Sequence, residues 1–127
     1  MMDWSTIRFF KREEFSCCCG TCGGYPAEPD EELVRLLDEL RRVVDRPLHI
    51  TSGLRCPDWN AEAGGVADSG HLSGKAVDVA VLNSRERYEL ISLGLVAFTR
   101  VGIGKTFIHF DNDGSKPDRV VWLYGDR

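Results

Sequence analysis

The stretch SGHLSGKAVDVAV, Ser69 to Val81, sets a histidine seven positions ahead of an aspartate with mostly small residues between them. From about Lys75 to Val81 it reads as a buried strand, rich in Val and Ala. Asp78 lies inside that strand, although aspartate is depleted in strands and costly to bury unless paired or bound to a cation. A positive charge or a cation against Asp78 is therefore expected. His71 falls in the loop before the strand, where Gly70, Gly74 and Ala76 leave room for the backbone to fold closely.

Working outward, the next strand signals are LHITSG (Leu48–Gly53) on one side and Arg100–Ile103, Phe107–Phe110 and Val120–Leu123 on the other. Helical periodicity runs from Asp30 to about Asp45, with Leu33, Leu36, Leu37, Leu40, Val43 and Val44 on the apolar face and Pro47 forbidding continuation. A second helix is expected over Ser84–Phe98, capped by Ser84 and ending near Gly94. PDWNAEAGG (Pro57–Gly65) reads as one or two helical turns closed by glycines. The order predicts a single α+β domain with a mainly antiparallel sheet and flanking helices. Residues 1–29 are expected to be an irregular Cys- and Gly-rich lead-in packed on a domain spanning 30–127, with Trp4, Phe9, Phe10 and Phe15 as aromatic anchors.

At 127 residues the chain is long enough to close one hydrophobic core. Acids and bases are interleaved, the net charge is -4, and no basic stripe is present, so nucleic acid is not an expected partner. No apolar run approaches the roughly 18 residues needed to span a bilayer. MMDWSTIRFFKREEF lacks the basic start, apolar core and small-residue cleavage site of a secretory signal. The expectation is synthesis in a cytoplasm.

His71, Asp78 and His109 together offer two imidazoles and one carboxylate, the donor types of a catalytic zinc site with a fourth position open. In FIHFD, alternation puts Phe107, His109 and Asp111 on one face and Ile108 and Phe110 on the other. That pattern describes a polar cleft floored by a sheet. His49 has no comparable frame and is read as structural.

SGHLSGKAVD resembles, position for position, the Ser-x-His-x-x-Gly-x-Ala-x-Asp signature of the zinc D-Ala-D-Ala carboxypeptidase family, within the wider lysostaphin- and hedgehog-type zinc peptidases. ITSGLRCPDWNAEAGG resembles that family's segment ahead of the first ligand, and GIGKTFIHFDND its Gly-Ile-Gly, strand, His-x-Asp segment in phage-type members. The resemblance covers about Phe9 to Trp122 and implies a hedgehog/DD-peptidase-like fold. It implies that His71, Asp78 and His109 ligate zinc and that Ser69 holds the loop and its water network. Arg55 would face a developing oxyanion or a substrate carboxylate.

The implied activity is hydrolysis of the peptide stems of bacterial peptidoglycan, as a D-Ala-D-Ala carboxypeptidase or an L-Ala-D-Glu-type endopeptidase. An endolysin-like enzyme of this kind would act on the wall after release or as part of a phage particle. Many members carry a glutamate three residues before the last histidine as general base; here that position is Thr106, which cannot take a proton. Asp111 is then either the base or an acceptor that fixes the His109 ring. Asp113 and Asp118 are the next carboxylates along the chain. The contrasting function is a non-catalytic, zinc-containing module that binds the wall or a partner.

CCCGTC places Cys17, Cys19 and Cys22 at metal-like spacing, with Cys56 far along the chain. These four read as a structural zinc or iron site if the lead-in packs beside LRC. Reduced thiols in a tight loop, or a Cys22–Cys56 disulfide, are the other readings.

Overall fold

A computed structural model describes residues 2–125. Helix α1 spans Glu31–Val44, capped by Asp30, whose side chain accepts the Leu33 N–H. Its last residue is followed by Asp45 in the left-handed conformation, two positions before Pro47. Leu33, Val34, Leu37, Leu40 and Val44 face the core, each side chain contributing about 1.5–3 kcal/mol on burial. The apolar stripe is turned slightly from the expected one: Val34 joins it, while Val43 is half exposed at the edge.

Strands β1 (Ile50–Ser52), β2 (Ala76–Ala80), β3 (Arg100–Ile103), β4 (Phe107–Asp111) and β5 (Val120–Leu123) form one sheet in the order β1-β2-β4-β3-β5. Helix α2 (Pro57–Glu62) lies between β1 and β2, and α3 (Ser84–Ala97) between β2 and β3. The architecture is the expected α+β class. Three strand pairs are antiparallel, whereas β3 and β5 run parallel, so the sheet is mixed at that edge. The 112–119 connection carries the chain past β3 rather than turning straight back.

One face of the sheet packs on α1 and α3 around Val77, Val79, Val101, Ile108 and Phe110, all essentially inaccessible. Ile7, Phe10 and Phe15 of the lead-in belong to that same cluster. Leu54 N–H donates to Phe15 O at 2.9 Å, binding the lead-in to the exit of β1.

Two helix signals resolve differently from expectation. Asn83, not Ser84, caps α3, its Oδ1 accepting Glu86 N–H at 2.9 Å. Gly94 does not end the helix, which continues to Ala97. A Cβ at Gly94 would lie 2.2 Å from Phe110 Cε1, so glycine is there to admit the Phe110 ring, which stacks on Phe98. Among the described residues no helix is long and apolar enough to cross a membrane.

Candidate metal centre

Sheet register assembles the centre. Asp78 on β2 is the direct cross-strand partner of His109 on β4, and His109 in turn pairs with Gly102 on β3 and Gly102 with Trp122 on β5. Residues opposite one another in a sheet share a face with Cβ atoms about 5 Å apart. The row therefore lines up a carboxylate, an imidazole, a gap and an indole. A Cβ at Gly102 would fall 2.6 Å from Tyr124 and 2.7 Å from Trp122, so these rings lie over the bare backbone and reach His109. Their centroids are 5.3 Å (Trp122) and 6.3 Å (Tyr124) from that of His109. The alternation read from FIHFD holds: Ile108 and Phe110 point into the core.

His71 arrives from the side. A 3₁₀ turn over Gly70–Ser73 starts at Ser69, whose Oγ accepts the His71 N–H at 3.2 Å. His71 Nδ1–H donates to Gly53 O at 2.7 Å, which leaves Nε2 with its lone pair 3.2 Å from Asp78 Oδ1. His109 Nδ1 lies 2.9 Å from the same oxygen. One donor atom each from His71, Asp78 and His109 lies within 4.8 Å of the others. All three residues are buried and His71 and His109 border a cleft, so the group is no surface acidic cluster. Its donor chemistry fits a divalent ion of zinc type, with three protein ligands and room for a fourth.

The outer contacts are equally specific. Arg55 Nη2 donates to Asp78 Oδ2 at 3.2 Å, Nε to Ser52 Oγ at 2.9 Å and Nη1 to Asn60 Oδ1 at 3.2 Å. Arg55 borders the cleft, and these contacts turn its guanidinium toward Asp78. The cation expected beside Asp78 is thus present in the chain itself. Asp111 Oδ2 accepts from His109 Nε2 at 2.6 Å, while Oδ1 accepts Asp113 N–H at 3.0 Å and lies 2.9 Å from Arg100 Nε.

Asp113 sits aside, its carboxylate taken by Ser115 and Lys116, and Asp118 is exposed beside Arg119. Thr106 is exposed in the β3–β4 turn, its carbonyl accepting Val81 N–H. His49 is exposed, with its carbonyl bonded to Ala80 N–H.

These contacts set the protonation states. Burial pushes the Asp78 carboxyl up, but hydrogen bonds from His109 and His71 outweigh it and hold the group well below the usual carboxylate range. Burial drives His71 down, and the pull of Asp78 only partly opposes it, so the ring favours its neutral form. For His109 burial is overcome by Asp111 and Asp78, and its pKa is raised. Asp111 is raised by burial, yet lowered on balance by His109, the Asp113 amide and Arg100.

The cleft holds about 220 Å³ and is bordered by His71, His109, Asp111, Arg100, Trp122 and Tyr124, among others. The sequence reading missed Arg100, Lys116, Trp122 and Tyr124 as cleft residues. For the two rings the signal was the alternation VVWLY, in which Val121 and Leu123 are the exposed partners. The family model described as Peptidase M15 matches residues 8–111. No curated protein matches the chain.

Proposed function

The chain belongs to the peptidase M15 family, and from that membership we propose that it is a zinc-dependent hydrolase of the peptide stems of bacterial peptidoglycan, acting on the wall after release from the cell that makes it. The observation that carries this reading is the convergence of His71 Nε2, Asp78 Oδ1 and His109 Nδ1 at the wall of an open cleft, with each outer atom tied to a partner of its own. When bound there, zinc lowers the pKa of a water toward about 7 and polarises a peptide carbonyl.

The chain supplies the rest. Gly53 O fixes the His71 tautomer, Arg55 anchors Asp78, and Asp111 orients the His109 ring. Trp122 and Tyr124 form an aromatic wall beside the ligands, and Arg100 and Lys116, each paired with an aspartate, border the cleft where a substrate carboxylate could exchange for that partner. The cleft is smaller than the 300–1,000 Å³ typical of drug-sized ligands, so only the segment around the scissile bond enters it. Muropeptides incubated with the zinc-loaded protein should lose a terminal D-Ala or split within the stem, as read by mass spectrometry. Chelation should stop the reaction and added zinc restore it. No turnover of any muropeptide by zinc-loaded protein favours a binding module instead.

Apart from the ligand Asp78, Asp111 has the only carboxylate among the described residues bordering the cleft, and both its oxygens are engaged. A carboxylate held below its usual pKa is a weak base, so we assign Asp111 to positioning His109. Asp111→Asn should then lower zinc affinity about 10–100-fold, with kcat returning close to wild type at saturating zinc. Turnover that stays about 100-fold down at full zinc occupancy would instead make Asp111 the general base.

A further inference from the structure

The lead-in holds a second cluster that the peptidase chemistry does not use. The Sγ atoms of Cys17, Cys19, Cys22 and Cys56 all lie within 4.8 Å of one another. In a tetrahedral zinc tetrathiolate, with Zn–S near 2.3 Å, the sulfur–sulfur edges are about 3.8 Å. The four sulfurs thus need to draw in by about 1 Å at most. Disulfide formation joins sulfurs in pairs and would not require four to meet at one point; all four are thiols here.

The backbone is also arranged around sulfur. Thr21 N–H and Cys22 N–H both donate to Cys19 Sγ, at 3.4 and 3.3 Å, and Thr21 Oγ1 does so at 3.5 Å. Cys56 N–H donates to Cys17 Sγ at 3.4 Å. Donors aimed at sulfur favour the thiolate, the form that ligates metal. Cys18, the fifth cysteine, is exposed and stands outside the group.

We infer that Cys17, Cys19, Cys22 and Cys56 bind one structural zinc ion in a closed tetrathiolate site, separate from the His71–Asp78–His109 centre. Four soft thiolates in a tetrahedral set select zinc or iron over hard cations, and a site with no open position is structural. The ion would fasten a segment without regular structure to Cys56, which caps α2 directly after Arg55. Gly53 O, which holds His71, lies on the same short segment, already bonded to the lead-in through Leu54 N–H and Phe15 O. A metal here would stiffen the Gly53–Cys56 segment that holds His71. This inference does not depend on the peptidase reading.

Metal analysis of protein expressed with zinc tests it without any substrate. Wild type and Cys18→Ser should each carry two equivalents. The double variant His71→Ala/His109→Ala should carry one, and so should Cys19→Ser/Cys22→Ser. Cobalt substituted into the histidine double variant should give intense thiolate-to-cobalt charge-transfer absorption. If the cysteine variant does not fold, the histidine double variant still decides: four of its five thiols should resist a thiol reagent until a mercurial releases one zinc. A histidine double variant with no bound metal and five freely reacting thiols would overturn the site, as would a mass two hydrogens low from a disulfide. One iron in place of zinc would overturn the zinc assignment.

Discussion

Alanine at His71 or His109 is expected to remove one equivalent of zinc and to lower kcat/KM on muropeptides by at least about 1,000-fold. The size follows from the several kcal/mol that a bound metal contributes to stabilising charge in the transition state. Both rings are buried and their outer nitrogens are held by Gly53 O and Asp111, which fixes the nitrogens that face Asp78. His49→Ala is the control, since that side chain is exposed beside β1. Metal analysis and steady-state kinetics on the three variants make the comparison. Full zinc retention in both ligand variants, with turnover within tenfold of wild type, would remove these histidines from the chemistry.

Asp78→Ala carries the second large effect, and it appears without any metal. Arg55 is 4% exposed and makes a charged contact with Asp78, and its guanidinium also donates to the neutral Ser52 and Asn60. Removing one partner of a buried ion pair leaves the other charge uncompensated, at a cost of about 3–5 kcal/mol. Urea unfolding of metal-free protein should show that loss, and Arg55→Met added to Asp78→Ala should recover part of it.

The pH dependence has a definite sign. Asp78 titrates below its ordinary value of 3.8 in the folded state, so its contribution is fully present above about pH 4 and is lost as pH falls through the folded value. Metal-free wild type should therefore lose more stability than Asp78→Ala between about pH 4 and pH 2. Equal slopes, or a loss under 1 kcal/mol at neutral pH, would mean that the pair is solvated rather than buried.

Much of the centre was legible because its signals are local. The His71-to-Asp78 spacing, the buried strand around an acid and the alternation in FIHFD each lie within a few residues, and the structure brings the three side chains together. The first helix was equally clear, since Asp30 and Pro47 bracket an apolar stripe. What escaped depends on partners distant in sequence. Gly94 looks like a helix stop until the Phe110 ring is packed against it. Trp122 and Tyr124 become cleft residues only because β5 lies parallel to β3 beside Gly102. Along the chain Asp111 reads equally as a base or as the acceptor that fixes the His109 ring, because its surroundings of His109, Arg100 and the Asp113 amide are set only in space.

The cross-strand row from Asp78 through His109 to Trp122 gives the β3–β4 hairpin a reading frame. Side chains alternate faces with a period of two, so a one-residue insertion between Ile103 and Phe107 that slid β4 by one step would send His109 into the core and bring Ile108 to the cleft. Two inserted residues would restore the facing but break the pairing with Asp78. The 112–119 connection sets no such phase for the ligands, which all precede it in the chain. Length variation that would leave the three ligands in place belongs in that connection, outside Asp113 and Lys116, and the short turn at Gly104 is where the spacing of the chemistry is kept.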